Sequence, residues 1–263
     1  MRTRIESSSN SIYKNTKKLL SAHDRKKARL FIAEGLRLVS DAVRHGADIK
    51  YILVRGSYGG EDFSQKFKVY ELDEKLFDDI SSTVNSQGII AVAAYPSNDS
   101  ERLFDESVRT VVYLDSVCDP GNLGTILRSA DAFGADAAVL SRGCADIYSP
   151  KVVRSTMASL FAIPVYTDGA DMGLLRRLSE SGFKVCGTFL DGDVYCHDAD
   201  LTGRTVIVMG NEANGICEKT AQLCAERIKV PMTGGAESLN VAVCCSVMLY
   251  EQLRQKIGRC SES

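Results

Sequence analysis

The segment that decides the fold spans residues 113–135 and has the sequence YLDSVCDPGNLGTILRSADAFGA. It begins as an apolar strand, passes through a loop that contains Gly121 and Gly124, and continues as a helix predicted to begin near Leu123. Polar side chains are concentrated where the strand ends. In α/β sheets ligands bind at that carboxyl edge, where a helix N-terminus also presents unpaired N–H groups to an anion. The segment therefore predicts an α/β fold with a nucleotide-type site.

Two common nucleotide-binding loops fit this segment poorly. A dinucleotide-binding loop has the pattern GxGxxG, whereas only Gly121 and Gly124 are present here, and the next strand ends in Ser141-Arg142 without a ribose-binding acid. A Walker A loop needs a lysine that Gly124-Thr125-Ile126 lacks. A nucleoside triphosphatase is therefore disfavoured, and a dinucleotide-dependent oxidoreductase is weakened but stays open.

Two further segments repeat the pattern of a strand that ends in glycine and polar residues. Residues 206–216 have the sequence VIVMGNEANGI, and residues 230–240 have VPMTGGAESLN before an apolar helix from 241 to 253. Each has an ordinary structural explanation when taken alone, since Glu212 suits the start of a helix and Ser238 suits an N-cap. Three such loops at strand ends nevertheless favour one shared pocket.

The remaining pattern predicts two domains. Apolar runs alternate with helical stretches, as in a mainly parallel sheet that is covered on both faces, and the runs lie at 111–114, 137–140, 185–189, 206–209 and 228–230. The first hundred residues contain the shorter strands and helices of a small α/β unit, and the turn-forming stretch 96–100 is the predicted linker. We expect a first domain over residues 1–100 and a second domain over residues 101–263.

Charge is unevenly distributed, although the net charge is only −2. The first thirty residues carry a charge of +7 and the remainder carries −9. The basic side chains of that segment are Arg2, Arg4, Lys14, Lys17, Lys18, Arg25, Lys26, Lys27 and Arg29. This asymmetry predicts a phosphate-binding arm over residues 1–30, because Lys and Arg displace counterions from nucleic acid. A solvated basic helix explains the charges equally well.

Cysteine, histidine and hydropathy patterns exclude other classes of protein. Nine cysteines occur without a C-x-x-C pair and only three histidines are present, so we expect neither a disulfide framework nor a bound metal. No apolar run reaches the roughly 18 residues of a membrane span, and the N-terminus lacks the apolar centre of a secretory signal. We expect a cytoplasmic protein with no membrane partner, and an organelle transit peptide is the lesser alternative.

Taken together, the three segments resemble the three motifs of the SpoU (TrmH-type) RNA methyltransferase family of the SPOUT superfamily. The matching residues, in this order along the chain, are Asn122-x5-Arg128, Met209-Gly-Asn-Glu212 and Val230-Pro-Met-x5-Ser238-Leu-Asn240. The stretches FIAEG at 31–35 and QGIIAV at 87–92 resemble the substrate-binding domain of the ribosomal-RNA branch. The resemblance covers nearly the whole chain.

The resemblance implies a trefoil knot in the C-terminal domain, a homodimer, and S-adenosylmethionine held by the knot loops. Sequence pattern alone favours an ordinary doubly wound sheet, because knots are rare. The resemblance also implies that backbone at four positions holds the cofactor and that five side chains form the catalytic site. The cofactor positions are Thr188, Gly210, Val230 and Leu239, and the catalytic residues are Asn122, Arg128, Glu212, Ser238 and Asn240.

The implied activity is methyl transfer to a ribose 2′-hydroxyl of structured RNA, most directly ribosomal RNA held by the first domain and the arm. Transfer RNA as the substrate, and an RNA-binding protein with this fold but no activity, stay open. The family pattern implies that Asn122 and Arg128 face the ribose and that Glu212 supports Arg128. A guanidinium stays protonated in proteins, so we expect Arg128 to position the substrate, aided by phosphate, rather than to remove its proton.

Overall fold

The computed structural model describes residues 2–260, and these divide into two compact units. The first unit comprises residues 2–97 and 146–161, and the second comprises residues 98–145 and 162–260. The sequence predicted a single boundary near residue 100 and gave no sign that residues 146–161 belong with the first unit. The division into domains over residues 1–100 and 101–263 stays a prediction.

The first unit is a small α/β unit around a five-stranded sheet. Its elements in chain order are β1 (Thr3–Ile5), α1 (Ser11–Lys18), α2 (Ala22–Ala28), β2 (Leu30–Glu34), α3 (Leu36–Arg44), β3 (Ile49–Arg55), β4 (Val69–Leu72), α4 (Glu74–Ile80) and β5 (Ile89–Ala94). The strand order is β1-β4-β3-β5-β2, with β5 antiparallel to both neighbours. The short strands and helices predicted for the first hundred residues are present, because their apolar periodicities match the faces they bury.

The second unit is built on a seven-stranded sheet in the order β10-β12-β9-β11-β6-β7-β8, with neighbouring strands parallel. From residue 110 onward the chain contains β6 (Thr110–Leu114), α5 (Pro120–Ala132), β7 (Ala137–Leu140), α6 (Pro150–Ser155), α7 (Ser159–Ala162), β8 (Val165–Thr167), α8 (Gly173–Glu180), β9 (Lys184–Thr188), β10 (Val194–Tyr195), β11 (Thr205–Met209), α9 (Glu218–Ala221), β12 (Glu226–Lys229) and α10 (Val241–Cys260). The predicted α/β class with a mainly parallel sheet is confirmed. The trefoil knot stays a prediction.

The strands at the centre of the second sheet position the site. Every residue of β6 and β11 is buried, since helices cover both faces of a parallel sheet. α5 begins at Pro120, three residues before the predicted start at Leu123, because the Asp119 side chain caps the helix and proline suits its first turn. No helix within residues 2–260 is long and apolar enough to cross a membrane.

The basic segment at the start of the chain is folded, which differs from the predicted arm. β1 pairs with β4, and Ile5, Tyr13 and Leu19 are buried in the core of the first unit. The apolar side chains of α1 bury one face of the helix and leave its lysines in solvent. The positive charges therefore lie on the surface of a folded unit.

Residues 146–161 belong to the first unit through aromatic and ionic contacts. The Tyr148 ring stacks on Tyr95 with centroids 3.7 Å apart and lies 5.0 Å from the Phe31 ring. Arg25, only 3% exposed, donates to Asp146 at 2.6 Å. A buried charge requires such a partner, so this pair fixes the segment to the first unit.

Candidate active site

A concave site of the second unit opens where β9, β11 and β12 end. It is a cavity of about 650 Å³, a size typical of small-molecule sites. The carboxyl ends of parallel strands meet at one sheet edge, which brings together loops that are far apart in the chain. Eight predicted residues line this cavity, namely Asn122, Thr188, Gly210, Glu212, Val230, Ser238, Leu239 and Asn240.

The loop after β11 forms one wall of the cavity and depends on glycine. Asn211 and Gly215 exchange two backbone hydrogen bonds of 2.9 Å, which fold the loop back on itself. A Cβ atom on Gly210 would lie 2.3 Å from backbone atoms of Gly215 and Ile216, far inside van der Waals contact. Only glycine fits there, because backbone atoms cannot rotate away as a side chain can.

Replacing Gly210 by alanine is therefore expected to push the loop out of the cavity wall and to weaken binding of the ligand at least tenfold, with a lower midpoint of thermal unfolding. Calorimetric titration and thermal unfolding measure the two effects. Gly203→Ala is the matched control, because its added Cβ meets nothing within 4 Å. Equal behaviour of the two variants would contradict this account of the loop.

A chain of hydrogen bonds joins the three motifs at the cavity. Asn240 Nδ2 donates to Asn122 Oδ1 at 2.9 Å, and Asn122 Nδ2 donates to Glu212 Oε1 at 3.0 Å. Asn240 Oδ1 also accepts from the backbone N–H of Ala242 at 2.9 Å and so caps the start of α10. Each amide thus uses both its donor and its acceptor, and the side chains are fixed in one orientation.

Glu212 is the anionic end of this chain. Its carboxylate also accepts from the backbone N–H groups of Cys118 at 3.2 Å and Asp119 at 3.0 Å. Partial burial raises the pKa of Glu212, but the hydrogen bonds from Asn122 and from backbone outweigh it, so the pKa lies below its ordinary value. The side chain is therefore ionised at neutral pH and holds the loop before α5 against the loop after β11.

Arg128 does not join the other predicted residues. It is exposed on α5 and does not line the cavity. Within residues 2–260 it makes no ion pair with Glu212, whose carboxylate is bound by Asn122 and backbone instead. The predicted support of Arg128 by Glu212 stays a prediction, with Arg128 six residues after Asn122 on α5.

Two other predicted side chains have different surroundings. The Thr188 hydroxyl donates to the Val208 carbonyl at 3.0 Å, which fixes the end of β9 to β11. Ser238 is exposed and has no side-chain hydrogen bond to any residue in the described part of the chain. It lies in the exposed loop 231–238 at the mouth of the cavity, so it is free to meet a ligand.

Sequence reasoning missed two residues that organise the site. Asn211 Nδ2 donates to the Ser116 carbonyl at 2.8 Å, while its Oδ1 accepts from the next turn of its own loop. Asp119 Oδ1 accepts from the backbone N–H of Asn122 at 2.8 Å and sets the start of α5. The local signals were an Asn before a tight loop and an Asp before Pro120, both of which favour side-chain capping.

The cavity lining carries acids but no cation. Within residues 2–260 its charged side chains are Asp191 and Glu212, and no lysine or arginine is among them. A pyrophosphate group would meet no counter-charge there, whereas a cationic ligand would be attracted. Residues 2–260 also contain no cluster of three or more His, Cys, Asp or Glu side chains able to hold a metal ion.

Comparisons with known proteins place this geometry in context. The model of the SpoU rRNA Methylase family matches residues 109–250, and that of the MRM3-like substrate binding domain matches residues 10–91. The chain is 35% identical to the 23S rRNA (guanosine(2553)-2′-O)-methyltransferase RlmP of Bacillus subtilis, covering 94% of this chain and 97% of that protein.

Solved structures are similar over nearly the full length. The AdoMet-bound rRNA methyltransferase from Sinorhizobium meliloti matches with a TM-score of 0.87 and 32% identity, covering 96% of this chain and 98% of that one. The SpoU methyltransferase AviRb from Streptomyces viridochromogenes, in complex with AdoMet, matches with a TM-score of 0.85 and 30% identity over 94% of this chain and 98% of that one.

Proposed function

This chain belongs to the SpoU rRNA methylase family, and from that premise we propose that it transfers a methyl group from S-adenosylmethionine to a ribose 2′-hydroxyl of ribosomal RNA. The observation that carries the proposal is the meeting of all three motifs in one cavity, where Asn240, Asn122 and Glu212 form a continuous hydrogen-bonded chain. The relatives named for 23S rRNA 2′-O-methylation support ribosomal RNA over transfer RNA.

The cavity residues fit S-adenosylmethionine. Its sulfonium and ammonium groups are cationic. Asp191 and Glu212, the charged lining residues in the described part of the chain, match these groups better than they match the pyrophosphate of a dinucleotide. Exposed apolar side chains, Leu190 and Met232, lie on the lining and suit a flat adenine ring. The loops at Thr188, Gly210, Val230 and Leu239 offer backbone N–H and C=O groups for its polar atoms. The bound cofactor supplies an electrophilic methyl group.

In the reaction the protein orients the ribose and its 2′-hydroxyl group. The 2′-hydroxyl is a weak nucleophile, so in-line placement against the methyl group is the main requirement. Asn122 and Asn240 hold the cavity in one geometry, and at its mouth Ser238 offers a hydroxyl that has no partner among residues 2–260. The exposed Arg128 guanidinium can donate two parallel hydrogen bonds to a phosphate beside the target ribose, which would hold the 2′-hydroxyl in position.

The basic surface of the first unit is the proposed RNA contact. Lys14, Lys18, Lys26 and Lys27 are exposed and have no acidic partner within residues 2–260, whereas Lys17 pairs with Asp79 at 2.6 Å. Free cations of this kind bind phosphates without reading sequence. The folded first unit therefore takes the role that was predicted for an arm.

Replacing Lys18, Lys26 and Lys27 by glutamate is expected to weaken RNA binding. The slope of the logarithm of the binding constant against the logarithm of salt concentration should become shallower by about two to three. Fluorescence anisotropy over a salt series measures the slope. The control replaces Lys66, Lys68 and Lys75, which are exposed on the same unit but lie outside the basic segment. If both triple variants lose affinity equally, net charge rather than this surface governs binding.

A homodimer is proposed from an exposed apolar stripe on α10. Val243, Tyr250 and Ile257 recur every seven residues and are 50%, 56% and 61% exposed, so they share one helix face that the chain itself leaves uncovered. A second copy that packs the same stripe against it would remove this surface from water. A cytoplasmic location stays a prediction from the sequence.

Replacing Tyr250 by glutamate is expected to convert the dimer to a monomer, since a charge on the stripe would have to be buried without a partner. Light scattering coupled to gel filtration measures the mass. Lys219→Glu, a change at an exposed position on α9, should leave the mass unchanged. A wild-type chain that is monomeric at micromolar concentration would contradict the proposal.

Two measurements test the proposed reaction. Calorimetric titration with S-adenosylmethionine and with NAD separates methyl transfer from the oxidoreductase alternative, and we expect heat of binding only with S-adenosylmethionine. Incubation with methyl-labelled cofactor and separate ribosomal and transfer RNA fractions then tests the substrate, and we expect label in ribosomal RNA. Binding of cofactor and RNA without any transfer would establish the inactive RNA-binding alternative.

A further inference from the structure

The first unit contains a second, smaller cavity that the methyl-transfer site does not use. It measures about 210 Å³ and lies at the start of α3, with Leu38, Gln87, Arg154 and Met157 on its lining. This volume is below the range of drug-sized ligands, and it suits a single flat ring. Arg154 and Met157 come from the segment 146–161, far from the other lining residues in sequence.

The cavity floor is rigid because Glu34 fixes the loop after α4. Glu34 is 6% exposed and accepts hydrogen bonds from Ser81, Ser82, Thr83 and Ser86. Burial raises the pKa of Glu34, but these hydrogen bonds outweigh it and the pKa is lowered. The carboxylate is thus ionised and fully occupied, which leaves the loop preorganised without a ligand.

Cations border the cavity. Arg154 donates to the Ser82 hydroxyl and is held by it at the cavity wall, while the Arg37 side chain is 76% exposed at the rim. Two acids also line the cavity: Glu34 is satisfied by its donors, and Asp41 pairs with Arg44 at 2.6 Å and with Arg37 at 3.9 Å. Arg37, Arg44 and Arg154 thus outnumber the two carboxylates, so the rim keeps a net positive charge for an anion.

The backbone at the end of α6 is strained in a way that presents Met157. Met157 has a φ of 49° and Ala158 a φ of 80°, two consecutive left-handed conformations without glycine. Such conformations are unfavourable for residues with a Cβ and persist where the surrounding structure imposes them. The consequence is a methionine side chain that is 42% exposed beside the cavity, although an apolar side chain is normally covered.

We propose that this cavity binds one unpaired nucleotide of the RNA substrate, with the base against Leu38 and Met157 and its phosphate at Arg37 and Arg154. Apolar walls match the faces of a base, and arginines at the rim match the charge beside it. Unpaired nucleotides are what proteins read in RNA, because the bases of a paired helix are inaccessible. The inference rests on the proposed function, since it takes RNA as the substrate.

The test uses Met157→Gly in the full chain, with Ala158→Gly as the matched control. Glycine adopts left-handed backbone freely, so both variants relieve the strain and fold at least as well as the wild type. Only the first removes the side chain that faces the base. The probes are a fluorescein-labelled single-stranded RNA of random sequence and an RNA duplex of the same length, measured by anisotropy without cofactor.

We expect Met157→Gly to weaken binding of the single strand about tenfold and to leave duplex binding unchanged, whereas Ala158→Gly alters neither. Arg37→Ala should weaken binding of both probes. It should also make the slope of the logarithm of the binding constant against the logarithm of salt concentration shallower by about one. Loss of affinity in Arg37→Ala but not in Met157→Gly would overturn the inference and leave only a phosphate contact. If the wild type binds neither probe, the proposed RNA substrate fails first.

Discussion

Replacing Arg128 by alanine is expected to lower the rate of methyl transfer about 10²–10³-fold while leaving the affinity for S-adenosylmethionine unchanged. Arg128 is exposed, lies outside the cavity lining and has no acidic partner within residues 2–260. Its charge is therefore available to a substrate phosphate and contributes nothing to the cofactor site. Single-turnover rates with saturating RNA, together with calorimetric titration of the cofactor, measure the two quantities.

Two control variants define the role of Arg128. Arg128→Lys keeps the charge but loses the planar fork, so an intermediate rate is expected if geometry matters. Arg176→Ala removes another exposed arginine of the second unit and should have no effect. Transfer that survives Arg128→Ala unchanged would exclude this residue from the reaction.

Replacing Glu212 by glutamine is expected to reduce transfer at least 100-fold and also to weaken cofactor binding. The carboxylate accepts from Asn122, Cys118 and Asp119, and a glutamine would place an N–H₂ group against one of these donors. An unmatched donor at this point releases the loop that forms the cavity wall. The informative comparison is the affinity for S-adenosylmethionine, which Glu212→Gln should lower and Arg128→Ala should leave unchanged. Glu106→Gln, which changes an exposed acid of the same unit, serves as the control.

The pH dependence of stability should follow from the same carboxylate. Because the folded-state pKa of Glu212 is lowered, its contribution to stability is present above the pKa of the unfolded chain and is lost as pH falls through the folded-state pKa. Thermal unfolding of the wild type should therefore show an acid-dependent loss that is smaller in Glu212→Gln. Identical pH profiles would show that the ionised carboxylate does not hold the two loops together.

The sequence accounted for most strands and for eight residues that line the candidate cavity, and physical reasons explain why. The runs at β6 and β11 are apolar throughout because both faces of that sheet are covered, so they stand out in the chain. Glycine and asparagine at strand ends mark tight loops. At Gly210 an added Cβ atom would lie only 2.3 Å from neighbouring backbone atoms. Local requirements of this kind are visible in a sequence.

Long-range contacts were not visible. The pairing of Arg25 with Asp146 spans 121 positions, and neither residue looks different from a solvated charge in the sequence. The same limit applies to Glu212, because its hydrogen bond from Asn122 spans 90 positions of the chain. The lowered pKa values of Glu34 and Glu212 likewise depend on donors brought in from other elements.

The most direct test of the central claim is the position of the transferred methyl group. Ribosomal RNA labelled by the enzyme and methyl-labelled S-adenosylmethionine is hydrolysed in alkali, which needs a free 2′-hydroxyl to cleave the adjacent phosphodiester. Transfer to the ribose predicts that the label is recovered in alkali-resistant dinucleotides and that Asn240→Ala, which removes the donor to Asn122, abolishes most of it. Label recovered in mononucleotides would place the methyl group on a base and contradict the proposed reaction.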